Sequence, residues 1–345
     1  DYSAAVKWSR KAADLGAEAA MWLLGKCYYL GHGTEEDDSA AFKWFRKAAD
    51  LGNVDAMLNL GNCYYNGHGT EEDYSAAVNW YRKAAELGNV EAMGSLGECF
   101  RDGHGTEQDY SAAFEWFLKA ANLGDATAMS DLVCFYAHGY VTDKDDSSAL
   151  KWCLKAADLG DVDAMLNLGV CYYRGYGTEK DLTAAFTWAR NAADLENAEG
   201  MRRLGYCYEE GCGVEKDESA AFKWYHKAAD LGDVDAMLNL SSCYKDGIGT
   251  EKDDPMTLTW EQKAAELGNP DACEALSERY LTGSGVERDF EKARDWLAKA
   301  REEFDAPKFK ELSFNLLQKE LESLVGLTEV KKEVTSLISF AKIQQ

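Results

Sequence analysis

Apolar residues in this chain recur along two kinds of helical stripe that alternate from one end to the other. Between 55 and 66, Ala56, Leu60, Cys63 and Tyr64 fall three or four residues apart, one face of about three turns of helix. Ala77, Trp80, Tyr81, Ala84 and Leu87 repeat that spacing and predict a second helix. The turn between them, Gly67-His68-Gly69-Thr70-Glu71-Glu72, carries glycines that take positive φ, stop the first helix and reverse the chain. Asp73 opens the second helix as an N-cap, its carboxylate accepting from free backbone N–H groups, and Gly88 suits the left-handed conformation at its end. No strand pattern competes with these helices.

The pair is one unit of an array. Tryptophan stands at Trp8, Trp44, Trp80, Trp116, Trp152, Trp188, Trp224, Trp260 and Trp296, a spacing of 36 residues with no insertion or deletion. A fixed period of this size signals a solenoid or a related repeat architecture, in which each unit packs only on its neighbours. Half a unit (1–16) precedes eight complete ones (17–304), and a tail of different character follows (305–345). The Asp73 position is Asp in all nine copies, the Ala84 position Ala in all nine and the Leu60 position Leu in all eight, so these positions cap and pack. Two units depart from the pattern. Val133 and Val141 replace glycines in the fourth, with Cys134 one place early; Glu196 replaces the glycine that ends the fifth. A non-glycine residue held left-handed costs about 1 kcal/mol, and a local change of superhelix angle is expected near 195–198.

The pattern A-M-x-x-L-G-x-C-Y-x-x-G-x-G-T-E-x-D-x-x-A-A-x-x-W-x-x-K-A-A-x-L-G resembles the Sel1-like repeat, a relative of the tetratricopeptide repeat, from residue 1 to about 304. The resemblance implies an all-α fold, an α/α superhelical solenoid whose first helices line a concave groove, and a role as scaffold or adaptor for a protein or peptide. Some secreted members staple each repeat with a disulfide at the positions held here by Ala85 and Met93; this chain has no thiol at either.

In the tail, Pro307 ends the array, and 308–324 reads as an amphipathic capping helix offering Phe309, Leu312, Leu316 and Leu317. From Leu321 the sequence resembles the start of an AAA+ ATPase module of the CbxX type, with Val325, Gly326 and Leu327 as the turn against the adenine base. That resemblance implies a covalently continuous AAA+ domain beyond residue 345, with the repeats as its regulatory or substrate-recruiting arm.

Charge and chemistry narrow the reading. Against 61 acidic residues stand 37 Lys and Arg, and the net charge of −24 argues against nucleic acid as a partner. No apolar run reaches membrane-spanning length and no signal peptide is visible. Six of the ten cysteines share one position of the repeat, so neighbours lie about a helix pair apart, too far to bridge; they read as buried apolar groups in a reducing, cytoplasmic setting. Leu24-Gly25-Lys26-Cys27 fails the phosphate-loop pattern twice, and the G-x-G pairs follow no strand. His32, His68 and His104 lie one repeat apart, too distant to share a metal, and read as solvated turn residues; the acidic turns lack the order of a calcium loop. No catalytic set, no metal site and no cofactor is predicted, and the chain reads as a non-enzyme.

Recognition is expected where the first helix varies between units. Under the resemblance, the groove-facing positions are those of Leu58, Asn62, Tyr65 and Asn66. They yield two clusters: Trp22, Lys26, Tyr29, Leu58, Asn62 and Tyr65; and Leu166, Val170, Tyr173, Arg174, Arg202 and Tyr206. Aromatic and Arg side chains are the usual anchors of protein interfaces.

Overall fold

A computed structural model describes residues 2–303, and they fold into helices with no strand among them. The chain divides into two compact units, Asp1–Lys180 and Asp181–Gln345. The first contains α1 (Tyr2–Asp14), α2 (Glu18–Leu30), α3 (Asp38–Asp50), α4 (Val54–Asn66), α5 (Tyr74–Glu86), α6 (Val90–Asp102), α7 (Tyr110–Asn122), α8 (Ala126–His138), α9 (Asp146–Asp158) and α10 (Val162–Arg174). The second contains α11 (Leu182–Asp194), α12 (Ala198–Glu210), α13 (Glu218–Asp230), α14 (Val234–Asp246), α15 (Asp254–Glu266), α16 (Pro270–Thr282) and α17 (Phe290–Glu303). Even-numbered helices are the first of each pair and odd-numbered ones the second, as the 36-residue period predicts. The architecture is an all-α solenoid.

Helices of 13 residues are marginal alone in water, so caps and packing must hold them. Asp73 accepts from the Ala76 N–H at 2.9 Å, and Asp37, Asp109, Asp145, Asp181, Asp217, Asp253 and Asp289 cap their helices the same way. Gly67 closes α4 at φ +72°, and its counterparts close the other first helices. Glu196, at φ +59°, is the one described non-glycine residue with positive φ, as its place in the repeat required. Its helix end is looser for it: Asn197 N reaches Ala192 O at 3.3 Å, against 3.0 Å for Asn89 to Ala84.

The fixed positions are the core. Leu60 and its counterparts are at most 1 % exposed, and Ala48, Ala84, Ala120, Ala156, Ala192, Ala228 and Ala264 are sealed completely. Beside them a glycine of the first helix lies against a ring of the second. A Cβ at Gly61 would stand 2.5 Å from the Tyr81 ring, and Gly25 with Phe45, Gly97 with Phe117 and Gly205 with Tyr225 repeat the contact. At two places where the ring is lost its partner changes too: Val133 stands opposite Cys153, and Ser241 donates to a buried Glu261, which also pairs with Arg279; opposite Ala189 the glycine, Gly169, is kept. On the second helices each Trp is covered by the Lys three residues on, as in Lys83 over Trp80 at 4.0 Å; Trp188 has Asn191 there instead. The capping helix expected at 308–324 and the AAA+ resemblance at Val325, Gly326 and Leu327 lie outside the described residues.

Candidate functional site

The first helices form a layer whose side chains reach from repeat to repeat. Trp22 Nε1 donates to Asn59 Oδ1 at 2.8 Å, joining α2 to α4. Tyr29 Oη is hydrogen-bonded to His68 Nδ1 at 3.2 Å, and Tyr65 Oη to His104 Nδ1 at 2.8 Å, so each tyrosine is tied to the turn of the next repeat. The His104 ring stacks on Tyr74 (4.9 Å between centroids, 16° between planes), and His32 stacks on Tyr2. The turn histidines therefore pack between repeats and are not simply solvated, which corrects the sequence reading. The ring edge of Tyr65 also meets Tyr74, with centroids 5.0 Å apart.

Of the first predicted cluster, Trp22 and Lys26 sit together on α2 with the ammonium 5.1 Å from the indole centroid, and Tyr29 is 37 % exposed. On α4, Asn62 accepts from the Tyr81 hydroxyl at 2.8 Å and Tyr65 is half-buried. Leu58 does not belong on an open face: it is 6 % exposed and packs in the core. The same correction holds for Leu166, 5 % exposed on α10. A period fixes which residues are equivalent but not how far each one stands from the helix behind it. Val170 and Tyr173 are half-buried, with Lys180 5.2 Å from the Tyr173 ring centroid, and Arg174 is exposed. These four lie in the first unit, while Arg202 and Tyr206 lie on α12 in the second. There Arg202 is held by Asp233 at 3.2 Å and Asp235 at 3.6 Å, and Tyr206 is 43 % exposed.

Between the two clusters in sequence, α6 and α8 carry charge that sequence reading passed over. Arg101 bridges Asp131 at 2.7 Å and Asp102 at 2.9 Å. Burial pushes the Asp131 carboxyl up to about 6 despite Arg101, and burial likewise raises Glu98, which Arg101 only partly offsets. Arg101 and Glu98 occupy the same two positions as Tyr65 and Asn62, so the signal was present as a change of residue class within those positions. Sequence reading also missed the caps of the first helices: Asn53, Asn89, Asp125, Asp161, Asn197, Asp233 and Asn269 each accept from the N–H three residues on. Ala17 alone breaks that run. The recurring Asn or Asp before each apolar stripe would have revealed them.

Among the described residues no group of three or more His, Cys, Asp or Glu is placed to hold a metal ion. Burial raises the thiols of Cys63, Cys99 and Cys243 to about 12, which makes them inert apolar groups. No helix among the described residues is long and apolar enough to cross a membrane.

The Sel1 repeat family model matches residues 1–16, 18–53, 54–89, 90–125, 126–161, 162–197, 198–233, 234–269 and 270–303. No match is found among curated protein sequences. Among solved structures, a Sel1 repeat protein from Oxalobacter formigenes is 28% identical, with a TM-score of 0.74 over 88% of this chain and 89% of that one. A protective antigen of uropathogenic Escherichia coli with the same repeat fold is also 28% identical, with a TM-score of 0.52 over 100% of this chain and 88% of that one.

Proposed function

The chain belongs to the Sel1 repeat family, whose members generally mediate protein–protein interactions, and from that premise we propose that its layer of first helices holds a protein or peptide partner. The fold is typically non-catalytic, and the reading is of a scaffold. The observation that carries it is the contrast within one helix. On α2, Leu24 is fully buried, while Tyr29 and Leu30, a few residues on, are 37 % and 49 % exposed. The invariant Leu and Ala positions are sealed, whereas the positions of Lys26, Tyr29 and Leu30 differ from unit to unit and supply aromatic, cationic and anionic groups in an order no two units share; at the Trp22 position, Leu58 and Leu166 turn inward instead. A surface of that kind suits an extended partner read by several side chains in turn.

The anchors are Trp22, Lys26 and Tyr29 in the first cluster, and Tyr173, Arg174, Arg202 and Tyr206 at the second set of positions. Asn62 and Tyr65 stand beside the first of these on α4. The test is a pull-down from the source cell with the full chain, read by mass spectrometry, beside a variant carrying Lys26→Glu, Arg174→Glu and Tyr206→Ala. Circular dichroism first establishes that the variant is folded. A protein captured by the parent and lost by the variant is the expected result. Equal capture by both moves recognition off the first-helix layer and overturns the reading.

A further inference from the structure

In the first unit, the second helix of each repeat and the following turn make a small cup; a ring lies against the turn of the first, and a ring fills each of the next two. Tyr29 lies against His68. Tyr65 lies among Tyr74, Tyr81 and His104, with ring centroids at 5.0, 6.5 and 5.7 Å. In the third cup, bounded by Tyr110, Phe117 and Tyr140, the first-helix position before it is Arg101, and the ring comes instead from Phe135 of the next repeat, at 6.0, 5.6 and 5.4 Å. A ring thus reaches the cup from either of two positions.

In the fourth cup both positions are small. Ala137 stands where Tyr65 stands, and Cys171 where Phe135 stands. The wall is smaller as well, with Asp146 for Tyr74 and Cys153 for Tyr81. What remains is a cavity of about 380 Å³, lined by Ala137, Asp146, Cys153, Cys171 and Tyr176 with Lys144 at its rim. That volume is in the range of small-molecule pockets and ample for one ring. Its walls, Val133, Ala149 and Leu150 included, are apolar; its polar groups are the Lys144–Asp146 pair at 3.3 Å, the Asn167 amide and the Tyr176 hydroxyl. Tyr176 occupies the position from which His104 bonds the Tyr65 oxygen.

The geometry points to this cavity, between α8, α9 and α10, as a binding site for a phenolic side chain supplied by a partner, taking the place that Tyr65 fills from within the chain two repeats earlier. The apolar walls accept the ring and the rim accepts the hydroxyl. That the ring comes from a protein rests on the scaffold reading; the cavity's preference for a phenol does not.

The test uses p-cresol, the side chain of tyrosine without its backbone, titrated into the full chain with methyl-labelled Val, Leu and Ala and followed by NMR. Saturable shifts at Val133, Ala149 and Leu150 in the millimolar range are expected, with weaker ones from toluene, which lacks the hydroxyl. Ala137→Tyr should remove them by filling the cup as Tyr65 does, and Cys171→Phe should do the same from the other side, as Phe135 does. The second variant keeps the test decisive if the first misfolds. Absence of p-cresol shifts in the parent overturns the site, and so do unchanged shifts in both filled variants. Toluene binding as well as p-cresol overturns the phenol selectivity. Because no protein partner is used, this outcome is independent of the pull-down: p-cresol binding with no captured protein would leave the cavity and remove the scaffold.

Discussion

Gly94 and Gly97 lie three residues apart on α6, and the packing around them assigns opposite consequences to the same substitution. A Cβ at Gly94 meets nothing within 4 Å, whereas at Gly97 it would stand 2.6 Å from Phe117 Cε1 and 2.8 Å from Cδ1. Glycine inside a helix costs roughly 1 kcal/mol relative to alanine, so Gly94→Ala should stabilise by about that much. Gly97→Ala gains the same helix contribution but must displace a ring that is completely buried. Overpacking of this kind costs about 1–3 kcal/mol, which leaves that variant between neutral and about 2 kcal/mol destabilised. The helix contribution cancels when the two variants are compared, so their difference, about 1–3 kcal/mol, isolates the ring contact. Equilibrium urea unfolding followed by tryptophan fluorescence and far-UV circular dichroism measures it. Equal stability of the two variants would refute the reasoning, since it would mean that Phe117 moves aside at no cost. A third protein sharpens the result. Gly97→Val with Phe117→Cys copies the Val133 and Cys153 pair, conserves volume across the contact and should recover most of the loss.

Three further outcomes follow from the same packing. Asp131, raised to about 6 from 3.8, contributes stability that is complete below about pH 4 and lost as pH rises through about 6. Asp131→Asn should therefore exceed the parent by roughly 1–3 kcal/mol at pH 7.5 and match it near pH 4, as urea midpoints at the two values will show. Glu261 and Arg279 form a pair only 8 % and 11 % exposed, so Arg279→Ala should cost about 3–5 kcal/mol by stranding the carboxylate. The triple change Ser241→Gly, Glu261→Phe and Arg279→Cys restores the apolar arrangement of the other repeats and should be neutral or stabilising in the same unfolding assay; a loss as large as that of Arg279→Ala would refute the account. Glu196→Gly should raise stability by about 1 kcal/mol by relieving a left-handed residue, and an unchanged thermal midpoint would show that the glutamate side chain compensates.

The helices, the caps of the second helices and the invariant positions were legible in the sequence because each depends on residues close along the chain or recurs in every unit. Asp73 and the amide it caps are three residues apart, and Leu60 and Ala84 are fixed in every complete unit. Glu196 was legible for the same reason, as a non-glycine residue at a position whose backbone demands left-handed φ. What was not legible concerns the side chains that cross between repeats. Nothing in the spacing of Tyr65 shows that His104, 39 residues on, will stand 2.8 Å from its hydroxyl. Nothing in the variability of Leu58 shows that it turns into the core. Variation between units was a sound guide to the layer that differs, but Leu58 and Leu166 vary for packing reasons, and burial alone separates them from Tyr29 or Tyr206.

The mismatched contacts at Val133 and at Arg279 bear on how the chain reaches its fold. The heptapeptide VDAMLNL occurs at 54–60, 162–168 and 234–240, so a first helix of one repeat carries nearly the same docking code as that of another. Copies this alike invite assembly in the wrong order, the failure expected of arrays whose neighbours are interchangeable. Two units cannot be exchanged in that way. Placed opposite Phe45, Val133 would be driven into the ring; placed beside Phe117, Arg279 would bury a charge with no carboxylate to meet it. Each departure from the common pattern therefore acts as an address, admitting one neighbour and refusing the rest, and the stability spent on a buried ion pair is returned as order in the sequence of repeats.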